Sequence, residues 1–226
     1  MEITPIAVMR TGFPDKFGVP RQSGLASGLR GRIVFNKEFR DPSALRGLED
    51  FSHLWLIWEF SCNRSSQWHP TVRPPRLGGN ASMGVFATRS PFRPNPLGLS
   101  CVEIERIEYD SPDGPVIIVN GADLVDGTPI YDIKPYIRYA DSRPDACCGY
   151  VDSLSESRLS VHFPENIAEL YRHRIDISAL IQVLELDPRP SYHNDPERVY
   201  GMRFMDFDVR FVVNGNVLTV IDLVTV

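Results

Sequence analysis

The chain has 226 residues, 42% of them hydrophobic and 23% charged, with a formal net charge of −5. That is a soluble globular composition, long enough for one sizeable domain or two small ones. Its acidic balance excludes indiscriminate polyanion binding, so any nucleic-acid contact has to be a local patch. The longest apolar runs, such as Leu54–Trp58 and Val116–Val119, are too short to cross a bilayer. No basic segment followed by an apolar one opens the chain, so no secretory signal is expected. Cys62, Cys101, Cys147 and Cys148 form neither a C-x-x-C pair nor a zinc pattern, and reduced cytoplasmic thiols are the simplest account.

Residues Ile3–Met9 read as a first strand that ends at the turn Thr11-Gly12-Phe13-Pro14. Phe17–Arg32 carries four glycines and little periodicity, and so reads as a long loop of the kind that often serves function. Gly31–Phe35 is a short strand. Asp41-Pro42 supplies an N-cap and a first-turn proline for a short helix to about Leu48. Phe51–Phe60 is a buried strand, with His53 a core histidine in preference to a ligand. Between Phe60 and Val102 there is no Asp or Glu, yet the stretch holds Arg64, Arg73, Arg76, Arg89 and Arg93. Five arginines without an acid, in an acidic protein, have the character of an anion footprint, and Arg suits bidentate phosphate or carboxylate contacts.

The centre of that window is MGVFATRSPFRPNPLGLS, Met83–Ser100. Val85 and Ala87 alternate with Phe86 and Thr88 as in a strand. Pro91, Pro94 and Pro96 then fix their own φ and push Ser90, Arg93 and Asn95 toward extended geometry. Arg89 and Arg93 are thus carried on a stiff loop that loses little entropy on binding. Leu97–Tyr109 and Val116–Gly121 are further strands, and Asp126-Gly127 is a turn leading to the strand Ile130–Tyr136. Short strands with only one helix among them argue for a closed or nearly closed β-barrel. From 140 to 160 the chain turns small and polar. Pro164–Leu186 then places Ile167, Leu170, Tyr171, Ile175, Leu180, Ile181 and Leu184 on one helical face, ending at Asp187-Pro188. The tail is two strands, Tyr200–Val213 and Val217–Val224, hinged at Asn214-Gly215. The expected architecture is mainly β with an α+β addition: an N-terminal barrel over 1–145, a linker over 146–160 and a small α+β domain over 161–226.

No G-x-G-x-x-G, G-x-x-x-x-G-K-[ST] or G-x-S-x-G pattern is present, so neither a dinucleotide fold, a P-loop nor a nucleophile elbow is supported. Unaided, the residues lead to an anion-binding cleft on a β domain. GVFATRSPFRPNPLGLS, with TVRPPRLGG before it and DLVDGTPIYDIKPY after it, resembles the TsaA-like family. So do FGVPRQSGL near the start and LDPRPSY, YGMRF and DFDVRF near the end. The resemblance implies a cytoplasmic, homodimeric methyltransferase that uses S-adenosylmethionine to methylate N6 of threonylcarbamoyladenosine at position 37 of tRNA. It places the cofactor against Pro20, Arg21, Gln22, Arg89, Leu99, Asp126, Gly127, Thr128 and Pro129. Ser61-Cys62 occupy a further cofactor position, where the family is expected to carry a His-containing pair. The same resemblance frames Arg64, Arg73, Arg76, Arg93 and Arg189 as RNA or substrate-carboxylate contacts, Tyr192 as a base-stacking residue and the C-terminal domain as an aid to tRNA choice. The weakly nucleophilic N6 requires either a base or charge stabilisation, and Asp126 is the candidate base, with an ordinary turn role as its rival. Two alternatives stay open: a non-catalytic RNA- or nucleotide-binding barrel, and a metal-dependent hydrolase using Asp123, Asp126 and Asp132.

Overall fold

The computed structural model describes residues 2–63, 68–78, 81–154, 157–190 and 195–226, with Arg76 described in its backbone alone. The first sheet is built from β1 (Ala7–Arg10), β2 (Arg30–Phe35), β3 (His53–Glu59), β6 (Leu97–Ser111), β7 (Gly114–Asn120) and β8 (Pro129–Pro135). These close into a barrel in the order β1-β2-β7-β6-β3-β8, with β8 pairing back onto β1. Alternation along β3 turns Leu54, Leu56 and Trp58 into the barrel and leaves His53 half-exposed in the outward phase, so His53 is not a core residue. The long strand β6 pairs with β3 through Leu97–Glu103 and with β7 from Glu103 onward. Register shifts near Ile104/Arg106 and Glu108/Ser111 mark the bulges that let one strand turn the corner.

Between these strands lie a two-stranded ribbon, β4 (Thr71–Val72) with β5 (Met83–Gly84), and several 3₁₀ turns. One of them, Val85–Ala87, replaces the strand expected there. The Val85 N–H donates to Pro70 O, and the Thr88 hydroxyl and Arg93 guanidinium both donate to Val85 O. Those bonds draw the chain into a turn before the prolines begin. The helix expected after Asp41 is a single 3₁₀ turn, Pro42–Leu45, with Asp41 capping Ser43 N as anticipated.

Asp126-Gly127 does not close a hairpin between its flanking strands. β7 lies between β2 and β6, whereas β8 lies between β1 and β3, so residues 121–128 cross one end of the barrel. Gly127 has φ +77°, and its N–H donates to Met9 O.

After α1 (Arg138–Asp141), the second sheet runs in the order β10-β11-β12-β9, from β9 (Ser160–His162), β10 (Tyr200–Phe204), β11 (Phe207–Asn214) and β12 (Val217–Thr225). Two helices, α2 (Glu165–Tyr171) and α3 (Ile177–Glu185), stand where one was expected, because Asp176 caps a new N-terminus by accepting from Ala179 N. The tail likewise holds one more strand than expected, since Met205 adopts φ 53° and turns the chain between β10 and β11. Ala179, Leu180, Val183 and Leu184 of α3 pack on Met202, Phe204, Val209 and Phe211 of the sheet.

The expected division into 1–145, 146–160 and 161–226 takes no account of one segment. Residues 11–29, which link β1 to β2, leave the barrel and pack into the second core. Phe13, Ala26 and Leu29 are buried there, with Phe13 edge-on to Phe204 at 5.1 Å between ring centroids. Met205 N donates to Gly12 O, Gly28 N to Gln182 Oε1 and Arg158 to Leu25 O. Gly18 sits at φ +90° with the Met202 sulfur 2.1 Å from where a Cβ would lie, so only glycine lets the chain pass. This strap is continuous with the barrel in sequence and belongs to the C-terminal domain in packing.

Candidate active site

A cavity of about 380 Å³ opens at one end of the barrel. Its walls are the strap (Lys16–Gln22), the end of β3 and the turn after it (Trp58–Asn63), the arginine-bearing loop before β6 (Thr88, Arg89, Arg93), the start of β6 and the crossing segment at Asp123–Thr128. Three bonds tie the strap across the opening. Lys16 Nζ donates to Cys62 O at 3.1 Å and to Asn63 Oδ1, and Arg89 donates to the Gln22 side-chain oxygen.

On the floor of the cavity, Trp58 and Gly98 are opposite partners on β3 and β6. A Cβ on Gly98 would lie 2.3 Å from the indole, so this glycine lets Trp58 lie flat across its neighbour. Trp58 Nε1 donates to Ser100 Oγ at 3.0 Å, and Ser100 Oγ donates to Asp123 Oδ1 at 2.6 Å. Because the indole nitrogen can only donate, the Ser100 hydroxyl is left to point its own hydrogen at the carboxylate. Burial raises the Asp123 pKa above the usual carboxylate value, opposed by hydrogen bonds from Ser100, its own N–H and the Ser23 N–H, and by the nearby Arg89 charge.

Pro20, Arg21, Gln22, Ser61, Cys62, Arg89, Leu99 and Thr128, drawn from four separate stretches of chain, all line this cavity. Asp126, Gly127 and Pro129 do not line it. The Asp126 carboxylate faces the other way, accepting from Thr11 N at 3.0 Å and pairing with Arg10 at 3.1 Å. Placed there it anchors the first residue of the strap. Arg93 borders the cavity but spends its guanidinium on the carbonyls of Val85 and Thr88, clasping its own loop. Arg73 is exposed outside the cavity. Arg189 is turned inward, its side chain 11% exposed, in a two-point pair with Asp187 at 2.8 and 2.9 Å, so its charge is already matched. Arg64, Tyr192 and the side chain of Arg76 lie outside the described residues. The three aspartates of the hydrolase reading are not assembled: Asp123 bonds Ser100, Asp126 pairs with Arg10 and Asp132 with Lys134.

Sequence reasoning passed over Asp123, Ser100 and Trp58 as a unit. One signal was present: β6 alternates, Gly98, Ser100 and Val102 share its buried phase, and a buried hydroxyl needs partners.

A family model described as the tRNA-methyltransferase O N-terminal domain matches residues 8–142, and one described as the TrmO C-terminal domain matches 156–226. The chain is 42% identical over 215 residues to the tRNA (adenine(37)-N6)-methyltransferase of Escherichia coli K12, covering 92% of this chain and 91% of that protein. It is 41% identical over 216 residues to a putative S-adenosylmethionine-dependent methyltransferase, RcsF, of Pseudomonas aeruginosa, again covering 92% and 91%. A crystal structure of TrmO from P. aeruginosa superposes with a TM-score of 0.81 at 33% identity, over all of this chain and 97% of the other. By both of its domains and along nearly its whole length, the chain belongs to the tRNA-methyltransferase O family.

Proposed function

We propose that this protein is an S-adenosylmethionine-dependent methyltransferase acting on N6 of threonylcarbamoyladenosine at position 37 of tRNA. The observation that carries the reading is the convergence of the strap, the post-β3 turn, Arg89, Leu99 and Thr128 on one cavity, in a chain of this family. At about 380 Å³ the cavity falls within the roughly 300–1,000 Å³ usual for small-molecule sites. Its surfaces fit the cofactor's chemistry. Leu97 and Leu99 offer exposed apolar faces to a purine, and Arg89 a cation to a carboxylate.

When bound, S-adenosylmethionine supplies a methyl group already activated on a sulfonium. The protein's contribution is then to orient and to exclude water, effects that can account for much of a methyl-transfer rate. Gln22 and Arg89, bonded to each other over the opening, and Lys16, bonded to the turn after β3, hold the walls in place before anything binds. Arg64, Arg73 and Arg76 of the acid-free window are assigned to the RNA, the C-terminal domain to tRNA choice, and the assembly to a homodimer. The place of action is the cytoplasm, where the tRNA substrate resides; among the described residues no helix is long and apolar enough to cross a membrane.

The test is mass spectrometry of nucleosides from tRNA bearing threonylcarbamoyladenosine, incubated with the protein with and without S-adenosylmethionine. A donor-dependent gain of one methyl on that nucleoside, lost in Arg89→Ala, is the expected result. Binding of tRNA without any gain would leave a non-catalytic RNA-binding barrel instead.

A further inference from the structure

Among the described residues two carboxylates line the cavity, Glu59 and Asp123, and Asp123 lies beside Ser100 and Trp58 on its floor. Ser100 Oγ donates to Asp123 Oδ1 at 2.6 Å. A carboxylate has about four lone-pair positions, so that bond leaves others open to a donor in the cavity, which Asp123 lines. The Ser100 bond favours the ionised form. The residue therefore rests as an acceptor aimed at whatever the cavity holds.

We propose that Asp123, and not Asp126, accepts the N6 proton of the target adenosine during methyl transfer. The inference rests on the methyltransferase reading above. As the N6 lone pair forms the N–CH₃ bond, the C–S bond breaks and leaves its electron pair on sulfur, while the N6–H proton passes to the Asp123 carboxylate. The balance closes with a neutral thioether, a neutral methylated nucleoside and a carboxylic acid. Asp126 cannot serve, because Thr11 N and Arg10 occupy it on the far side of the crossing segment.

Burial supports the role. A carboxyl group whose pKa is raised takes a proton more readily than an exposed aspartate. The other titratable or charged groups lining the cavity are Lys16 and Arg21 on the strap, Glu59 and Cys62 at the end of β3, and Arg89 and Arg93 on the loop. Of these Glu59 is the rival acid, and its carboxylate already accepts from the Tyr131 hydroxyl at 2.7 Å.

The experiment compares wild type, Asp123→Asn and Ser100→Ala in three readouts: single-turnover rate against pH, affinity for S-adenosylhomocysteine by calorimetry, and thermal melting. For Asp123→Asn the expected rate loss is about 100-fold or more, the acid limb of the profile disappears, and product affinity stays within a few-fold of wild type. The sign for stability can be worked out. A folded-state pKa raised above the unfolded one means the fold holds more protons than the unfolded chain in the window between them. Wild-type stability thus falls as pH rises through that window, and Asp123→Asn should melt no lower than wild type at neutral pH. Ser100→Ala removes a donor that favours the ionised form, so its acid limb should move to higher pH. Loss of S-adenosylhomocysteine affinity in Asp123→Asn with an unchanged pH profile would overturn the proposal and make Asp123 a cofactor-binding group. A full rate in Asp123→Asn would overturn it as well. Absence of methylation by wild type would instead sink the underlying reading, so the two failures are distinguishable.

Discussion

The cavity has two unlike walls. The strap wall, residues 11–29, is held from a distance: Phe13, Ala26 and Leu29 sit in the C-terminal core, and Gln182, Met205 and Arg158 bind its backbone. The arginine wall, from Thr88 to Leu99, is held by the barrel and by its own loop. Its end pairs with β3, three prolines stiffen it, Arg93 clasps the Val85 and Thr88 carbonyls, and Phe86 and Phe92 stay exposed. One wall therefore depends on a domain packed some 150 residues further along the chain, while the other draws its order from the barrel and its own loop. The difference implies that the C-terminal domain shapes the cavity without lining it.

Breaking the strap wall should have the largest effect. Phe13→Ala deletes a fully buried ring, a change that typically costs about 3–5 kcal/mol. Chemical denaturation should show the loss in the C-terminal domain, and calorimetry should show weakened S-adenosylhomocysteine binding even though Phe13 is not among the cavity residues. Unchanged affinity in a folded Phe13→Ala protein would mean that the strap holds its place without the second core.

Loosening the arginine wall is a smaller, local change. Arg93→Ala leaves the Val85 and Thr88 carbonyls without their guanidinium, at a cost of about 1–3 kcal/mol if both stay buried. Turnover should drop further than in Arg93→Lys, which keeps a single donor, and the melting of the C-terminal core should not move. A weakened C-terminal core in Arg93→Ala would mean the two walls are coupled.

The mildest change sharpens the contrast between the two aspartates of the crossing segment. Asp126→Ala removes the Arg10 pair and the bond to Thr11 N, worth about 1–2 kcal/mol together for a group this exposed. Activity at saturating substrates should fall less than ten-fold, with the acid limb of the pH profile retained. A collapse as deep as that of Asp123→Asn would return the base assignment to Asp126.

Much of this was legible in local sequence. The apolar run Phe51–Phe60, the Asp41-Pro42 cap, the Asn214-Gly215 hairpin and the triple proline before Leu97 each express a preference carried by a few neighbouring residues, and the structure contains each of them. Of the five arginines in the acid-free window, Arg89 and Arg93 lie at the cavity. Local signals also misled. Val85–Ala87 alternates like a strand, and its carbonyl bonds to Thr88 and Arg93 make it a turn. Asp126-Gly127 has hairpin composition, yet strand order sends it across the barrel.

The sequence by itself determined where most of the barrel strands and the stiff loop lie and which family the chain resembles, because propensity, proline geometry and motif are properties of short segments. Only tertiary structure decided that the strap packs in the wrong domain for its place in the chain, that Arg189 pairs inward with Asp187, and that Asp123 and Asp126, three residues apart, face opposite sides. Those outcomes depend on contacts between groups distant in sequence, and no local preference encodes which partner a side chain will meet.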